Sequence, residues 1–174
     1  MIISELYLPN IKFNNVEQHD RNKVDPGSPW EYVKSVNLLQ VAAQDKSFAA
    51  LVAYIKPFQR ISIHKDYAIG PEQIKWSILF GGHGLILEIY DAINDASAIG
   101  EVSAPNKEYQ VPALPPENAR LIESKCITGN PIMFNPTVNW HSVYNPTDTW
   151  IKCISLRSKS DATAEYLTSF MVKN

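Results

Sequence analysis

Lys75-Trp-Ser-Ile-Leu-Phe80, Gly81-Gly-His-Gly84 and Leu85-Ile-Leu-Glu-Ile-Tyr-Asp91 form one continuous stretch, two apolar runs around a glycine-rich turn. The runs read as two short strands joined by that turn. Working outward, Arg60-Ile-Ser-Ile-His-Lys-Asp66 alternates, with Ile61 and Ile63 on one face and Arg60, Ser62, His64 and Asp66 on the other. Downstream, Ala119–Ser124, Pro131–Asn135 and Trp150–Arg157 continue the series. Turn signals separate them at Pro115-Pro116, Gly129-Asn130, Asn135-Pro136 and Asn145-Pro146. The polar stretch over 94–107 is expected to hold a loop.

The first third has another texture. Residues 10–30 are polar and turn-rich, ending in Asp25-Pro-Gly-Ser-Pro29. From Val33 and Val36 through Leu38, Leu39, Val41, Ala42 and Ala43, apolar residues recur at three- and four-residue steps. That spacing predicts a helix over roughly 30–43, followed by a second helix or a strand over roughly 46–56. Short strands after a helical prefix predict a mainly β fold with flanking helices, an antiparallel barrel or sandwich with the helices on one side. One domain is expected over 1–174: a helical, loop-rich prefix to about residue 56, a strand-rich core over about 57–158, and a tail from 159 to 174.

Composition excludes several classes. Apolar residues make up 45% of the 174 and charged residues 20%, which is globular rather than disordered or collagen-like. Sixteen basic against eighteen acidic residues leave a net charge of -2, without the basic surplus or stripe that a duplex-binding protein needs. Two cysteines, Cys126 and Cys153, have no C-x-x-C spacing and are too few for a disulfide scaffold. No basic, apolar leader opens the chain and no run approaches 18 apolar residues, so a soluble, cytoplasmic protein with no membrane partner is expected.

Four histidines are present, and they differ. His19 lies in the polar connector and His83 in the glycine-rich turn, which lacks the lysine and the strand-to-helix setting of a phosphate loop. Neither is expected to be a ligand. His64 has Asp66 two residues on; on an extended strand the two project from one face, about 7 Å apart along the chain. Such a pair can hold one face of a cation if a third ligand arrives from elsewhere, although a chance His-x-acid match is also common. His141 lies late in Asn135-Pro-Thr-Val-Asn-Trp-His141-Ser-Val-Tyr-Asn145 and is a candidate for that ligand; otherwise it is a strand-end histidine bonded to backbone. Two imidazoles and a carboxylate on one side of an octahedral ion leave three positions open, the set expected for ferrous iron that must also hold a cosubstrate and dioxygen.

The order of these pieces resembles the 2-oxoglutarate- and iron(II)-dependent oxygenases, in particular small prolyl-4-hydroxylase-like and phage-type members. It runs His64-x-Asp66, Trp76-Ser-Ile-Leu-Phe80, Ile89-Tyr-Asp91, Gly129-x-Pro-Ile-Met-Phe-Asn135, His141-Ser-Val-x-Asn145 and Ile154-Ser-Leu-Arg157, over roughly residues 54–158. The resemblance implies a double-stranded β-helix, the jelly-roll shared with cupins. It implies His64, Asp66 and His141 as Fe(II) ligands, 2-oxoglutarate as cosubstrate, and hydroxylation of a small-molecule or peptidyl substrate. It also implies a basic side chain on the strand after His141, pairing with the distal carboxylate of the cosubstrate.

Here the chain departs from the pattern, because Ile151 stands where relatives usually carry that basic residue. Lys152 and Arg157 are the alternatives, and strand alternation lets only one of them face the barrel. With Ile151, Cys153, Ser155 and Arg157 inward, Trp150, Lys152, Ile154 and Leu156 face outward, to be covered by the helices of the prefix. Arg157 is therefore expected to bind the cosubstrate, with Lys152 as its alternative. A jelly-roll binding module without oxygenase activity, and a cupin-like enzyme with another metal, remain as other readings. A cupin enzyme usually has a close histidine pair, and no His-x-His occurs here.

Overall fold

A computed structural model describes residues 1–7, 12–18, 30–37, 49–66, 74–93, 100–103 and 110–169. Twelve strands are found among them: β1 (Ser4–Glu5), β2 (Lys12–Gln18), β3 (Trp30–Asn37), β4 (Ala49–Ile55), β5 (Trp76–Gly81), β6 (Ile86–Ala92), β7 (Gly100–Ser103), β8 (Gln110–Ala113), β9 (Ala119–Cys126), β10 (Ile132–Phe134), β11 (Trp140–Tyr144) and β12 (Ile151–Ser158). The single α-helix among the described residues, α1, spans Asp161–Thr168.

The larger sheet runs β1-β10-β5-β12-β4-β3-β2 and the smaller one β11-β6-β9, while β7 and β8 form a ribbon. Every pairing is antiparallel. The core shows that the two sheets face each other: Ile55, Leu79, Ile132, Phe134 and Cys153 of the larger pack in one cluster with Leu87 and Ile89 of the smaller. Leu87 and Ile89 are fully buried, and each contributes about 1.5–3 kcal/mol by leaving water. This is the jelly-roll architecture, mostly antiparallel strand with one α-helix among the described residues.

The stretch around Gly81 folds as read, as β5, a turn and β6. Gly81, Gly82 and Gly84 have φ of 66°, 67° and 91°, a region open to glycine. At Gly82 a Cβ would also lie 2.9 Å from Leu85 Cδ1.

The prefix differs from its expected form. Residues 30–37, expected as helix, are strand β3, paired to β2 and β4. Trp30, Tyr32, Val33 and Val36 are aromatic or β-branched, and such residues favour a pleated surface when partner strands are available on both sides. The rest of that expected helix, 38–43, lies outside the described residues; of the turn-rich connector expected over 10–30, Lys12–Gln18 is strand β2, paired to β3, and 19–29 lies outside the described residues. Of the two readings of 46–56, strand is the one found, as β4. The prefix thus extends the larger sheet rather than covering it. The helix comes instead from the tail, capped by Ser160, whose hydroxyl accepts from Thr163 N–H, with Ala164 and Leu167 buried. Part of the expected loop over 94–107 is also strand: Gly100–Ser103 pairs with Gln110–Ala113.

Candidate metal centre

The segment from Gln59 to Asp66 is sewn along both edges. On one side Ile61 N–H donates to Val143 C=O (2.9 Å), Asn145 N–H to Gln59 C=O (2.9 Å), and His64 and His141 exchange both backbone bonds (3.0 and 2.9 Å). On the other, Lys65 N–H donates to Pro112 C=O and Leu114 N–H to Ile63 C=O. The segment is not the regular strand its alternation suggests: it runs alongside β11 through isolated bridges at Arg60 and His64.

That pairing brings the histidines together. In an antiparallel pair, residues directly opposite project to the same face, and His64 lies opposite His141. His141 is in turn opposite Ile89, a core residue, so the face is the barrel interior. The rings stand 4.3 Å apart, and Phe134 meets His141 edge-on at 4.9 Å. Asp66, two residues beyond His64, is held by its N–H to Pro136 C=O (2.9 Å). Its Oδ1 lies 3.5 Å from His64 Nε2 and 3.9 Å from His141 Nε2. One donor atom from each of His64, Asp66 and His141 falls within 4.8 Å of the other two, the one such group among the described residues.

Both rings are oriented alike. His64 Nδ1 sits 2.7 Å from Ser62 C=O and His141 Nδ1 3.0 Å from Asn139 C=O. A carbonyl accepts only, so each Nδ1 carries the hydrogen and donates, which leaves the Nε2 lone pair for a cation. Asn139 is itself fixed by its Nδ2–H bond to Asn135 C=O (2.8 Å), and Asn135 Oδ1 accepts from Thr137 and Val138 N–H. The Asn-Pro-x-x-Asn run ahead of His141 is therefore a turn that aims an imidazole.

Arg157 enters from the larger sheet. Its Nη1 lies 3.1 Å from Asp66 Oδ2, an ion pair at short range without hydrogen-bond alignment, since that oxygen has no aligned donor. Ser77 and Ser155, cross-strand neighbours on β5 and β12 flanking Arg157, are buried and share a hydroxyl contact of 3.0 Å; Arg157 Nε–H reaches Ser155 Oγ at 3.4 Å. Lys152 is exposed, as expected of the outward face, and Ile151 packs against the apolar core cluster. At one end of that outward face Trp150 is 52% exposed, whereas Leu156 is buried. Sequence reasoning passed over Ser77; its signal is one hydroxyl within an otherwise apolar strand.

Burial disfavours charge on both His141 and Asp66, with different outcomes. For His141 burial is the largest influence, the neighbouring His64 adds to it, and its pKa falls to about 3. For Asp66 burial pushes upward, but Arg157 first and the two imidazoles after it outweigh that, and the carboxyl is held well below its usual range. Both shifts have one sign in stability. Unfolded His141 takes a proton below about pH 6.5 while the folded one resists, so its contribution is complete above 6.5 and is lost as pH falls toward 3. The contribution of Asp66 is present above 3.8 and is lost below that. Urea unfolding of the metal-free protein is expected to show stability falling from pH 6.5 downward. His141→Asn should flatten the part of the curve above pH 4.

His83 is exposed, with Nδ1 at 3.0 Å from Thr128 C=O, and it is not in the His64 group. His83→Ala is expected to leave metal affinity unchanged by titration. His19 lies outside the described residues.

No protein-family model matches this chain, and no curated protein does. Solved structures do resemble it. A cupin 2 conserved barrel domain protein from Salinispora arenicola is 10% identical over 89% of this chain and 96% of its own, with a TM-score of 0.43. The Cupin_2 domain of an XRE family transcriptional regulator from Enterobacter cloacae is 10% identical over 76% and 96%, with a TM-score of 0.40. The capsular polysaccharide assembling protein CapF from Staphylococcus aureus is 13% identical over 84% of this chain, with a TM-score of 0.47; the match spans 31% of CapF. Likeness at this level concerns strand arrangement and carries nothing about chemistry. Among the described residues, no helix is long and apolar enough to cross a membrane.

Proposed function

We propose that the protein is a small non-haem iron oxygenase that uses 2-oxoglutarate and dioxygen to hydroxylate a small-molecule or peptidyl substrate. The observation that supports this reading most is that His64, Asp66 and His141 each bring one donor atom to within 4.8 Å of the other two inside a jelly-roll. The donor set suits a divalent transition metal: two neutral imidazoles, each with its far nitrogen bonded to a carbonyl, and one carboxylate whose second oxygen is already balanced by a guanidinium. His64, Asp66 and His141 would hold Fe(II), and the bound ion would supply the activation of dioxygen that no side chain provides.

The remaining work falls to the chain. Arg157, supported by the hydroxyls of Ser77 and Ser155, offers donors to a dicarboxylate entering from the side of the larger sheet. Phe134 closes the wall behind His141, and the apolar cluster of Leu79, Leu87 and Ile89 keeps water from the interior. The test is anaerobic loading with Fe(II), addition of 2-oxoglutarate and air, and measurement of succinate. Iron-dependent succinate supports the oxygenase.

Two observations favour a second reading. Arg157 is already paired with Asp66, and Ile151 occupies the place of the usual basic residue. A metal-binding jelly-roll that takes no 2-oxoglutarate would show tight metal binding and no succinate.

A further inference from the structure

Strict alternation would put Arg60 on the same face as His64, four residues on, yet the two face opposite ways. Arg60 lies opposite Tyr144 and His64 opposite His141. Between these pairs the segment holds Ile61, Ser62 and Ile63, whereas β11 holds only Ser142 and Val143. The one extra residue is a β-bulge. Bulges of this kind re-aim side chains beside functional sites, and a change of register by one residue turns every side chain after it to the other face. Without the bulge, His64 and Asp66 would point out of the barrel.

Four contacts hold it. Ser142, wholly buried, donates its hydroxyl to Ile61 C=O at 2.6 Å, the carbonyl at the start of the bulge. Arg60 forms an ion pair with the buried Glu88 of β6 and donates to Tyr90 Oη (3.1 Å), which in turn donates to Glu88 Oε2 (2.8 Å). Its guanidinium also lies 4.4 Å over the ring of Tyr144. Glu88 alternates with the core residues Leu87 and Ile89, so this clasp sits on the outer face of the smaller sheet, with none of its groups in the metal centre.

We infer that Ser142 and the Arg60–Glu88–Tyr90 clasp are positioning residues for the metal, fixing the bulge that turns His64 and Asp66 inward. This rests on the metal-binding part of the reading above. Co(II) titration, followed by its visible absorption bands, reads both affinity and ligand geometry. Ser142→Ala and Glu88→Gln are each expected to weaken Co(II) binding by roughly 10- to 100-fold, the range for outer partners of metal ligands, and to change the absorption bands. Arg60→Lys keeps the charge but loses the planar fork, and should recover little.

Leu6→Ala, a core truncation on the β1 side, serves as the control. It should lower the melting temperature and leave Co(II) affinity and spectrum as they are. If Ser142→Ala and Glu88→Gln behave like that control, the positioning role is wrong although the metal site stands. If the wild-type protein binds no Co(II), the metal reading itself fails.

Discussion

Replacing Asp66 with asparagine is expected to lower divalent-metal affinity by ~100-fold or more, beyond the 10- to 100-fold typical of outer-shell changes. The substitution keeps the shape and the backbone bond to Pro136. It removes the one anionic ligand, which faces both imidazoles through Oδ1, and leaves the Arg157 guanidinium beside a neutral amide. A cation would then meet two neutral nitrogens and a repelling positive charge. Calorimetric titration with Co(II) or anaerobic Fe(II) measures the loss, and circular dichroism checks that the barrel persists. Affinity within a few fold of wild type would remove Asp66 from the ligand set.

The second large effect separates two basic residues on one strand. Truncating Arg157 to methionine removes a charge-assisted contact worth about 1.5–3 kcal/mol, roughly a ten- to hundredfold loss of 2-oxoglutarate affinity. The same change frees Asp66 Oδ2, a buried oxygen, from its balancing charge, so the stability of the metal-free protein should fall with it. Lys152→Met should alter neither, because Lys152 is exposed on the opposite face. Titrating 2-oxoglutarate into the metal-loaded proteins decides between them. A loss on Lys152→Met with Arg157→Met unaffected would place the cosubstrate elsewhere.

The core strands and the pairing of His64 with Asp66 were legible because each rests on short-range rules, whereas His141 was a candidate through its strand context and the family resemblance. Apolar runs bounded by turn residues marked β5, β6, β10 and β12, and two-residue spacing put His64 beside Asp66. Alternation along β12 separated Arg157 from Lys152. Three things were not legible. Residues 30–37 carry a three- and four-residue apolar spacing, and only their pairing with β2 and β4 makes them strand. The face of His64 depends on an extra residue between Arg60 and His64, visible only when β11 lies alongside. Simple alternation put His64 and Asp66 correctly on one face and wrongly placed Arg60 there too. The ion pair between Arg157 and Asp66 joins residues far apart in the chain, and no local pattern announces it.

Anomalous diffraction at the iron edge, from crystals loaded anaerobically with Fe(II), tests the central claim most directly. The account predicts one peak inside the barrel, bonded to His64 Nε2, His141 Nε2 and Asp66 Oδ1. Iron bound elsewhere, or no iron at a concentration that saturates the protein in solution, would contradict it.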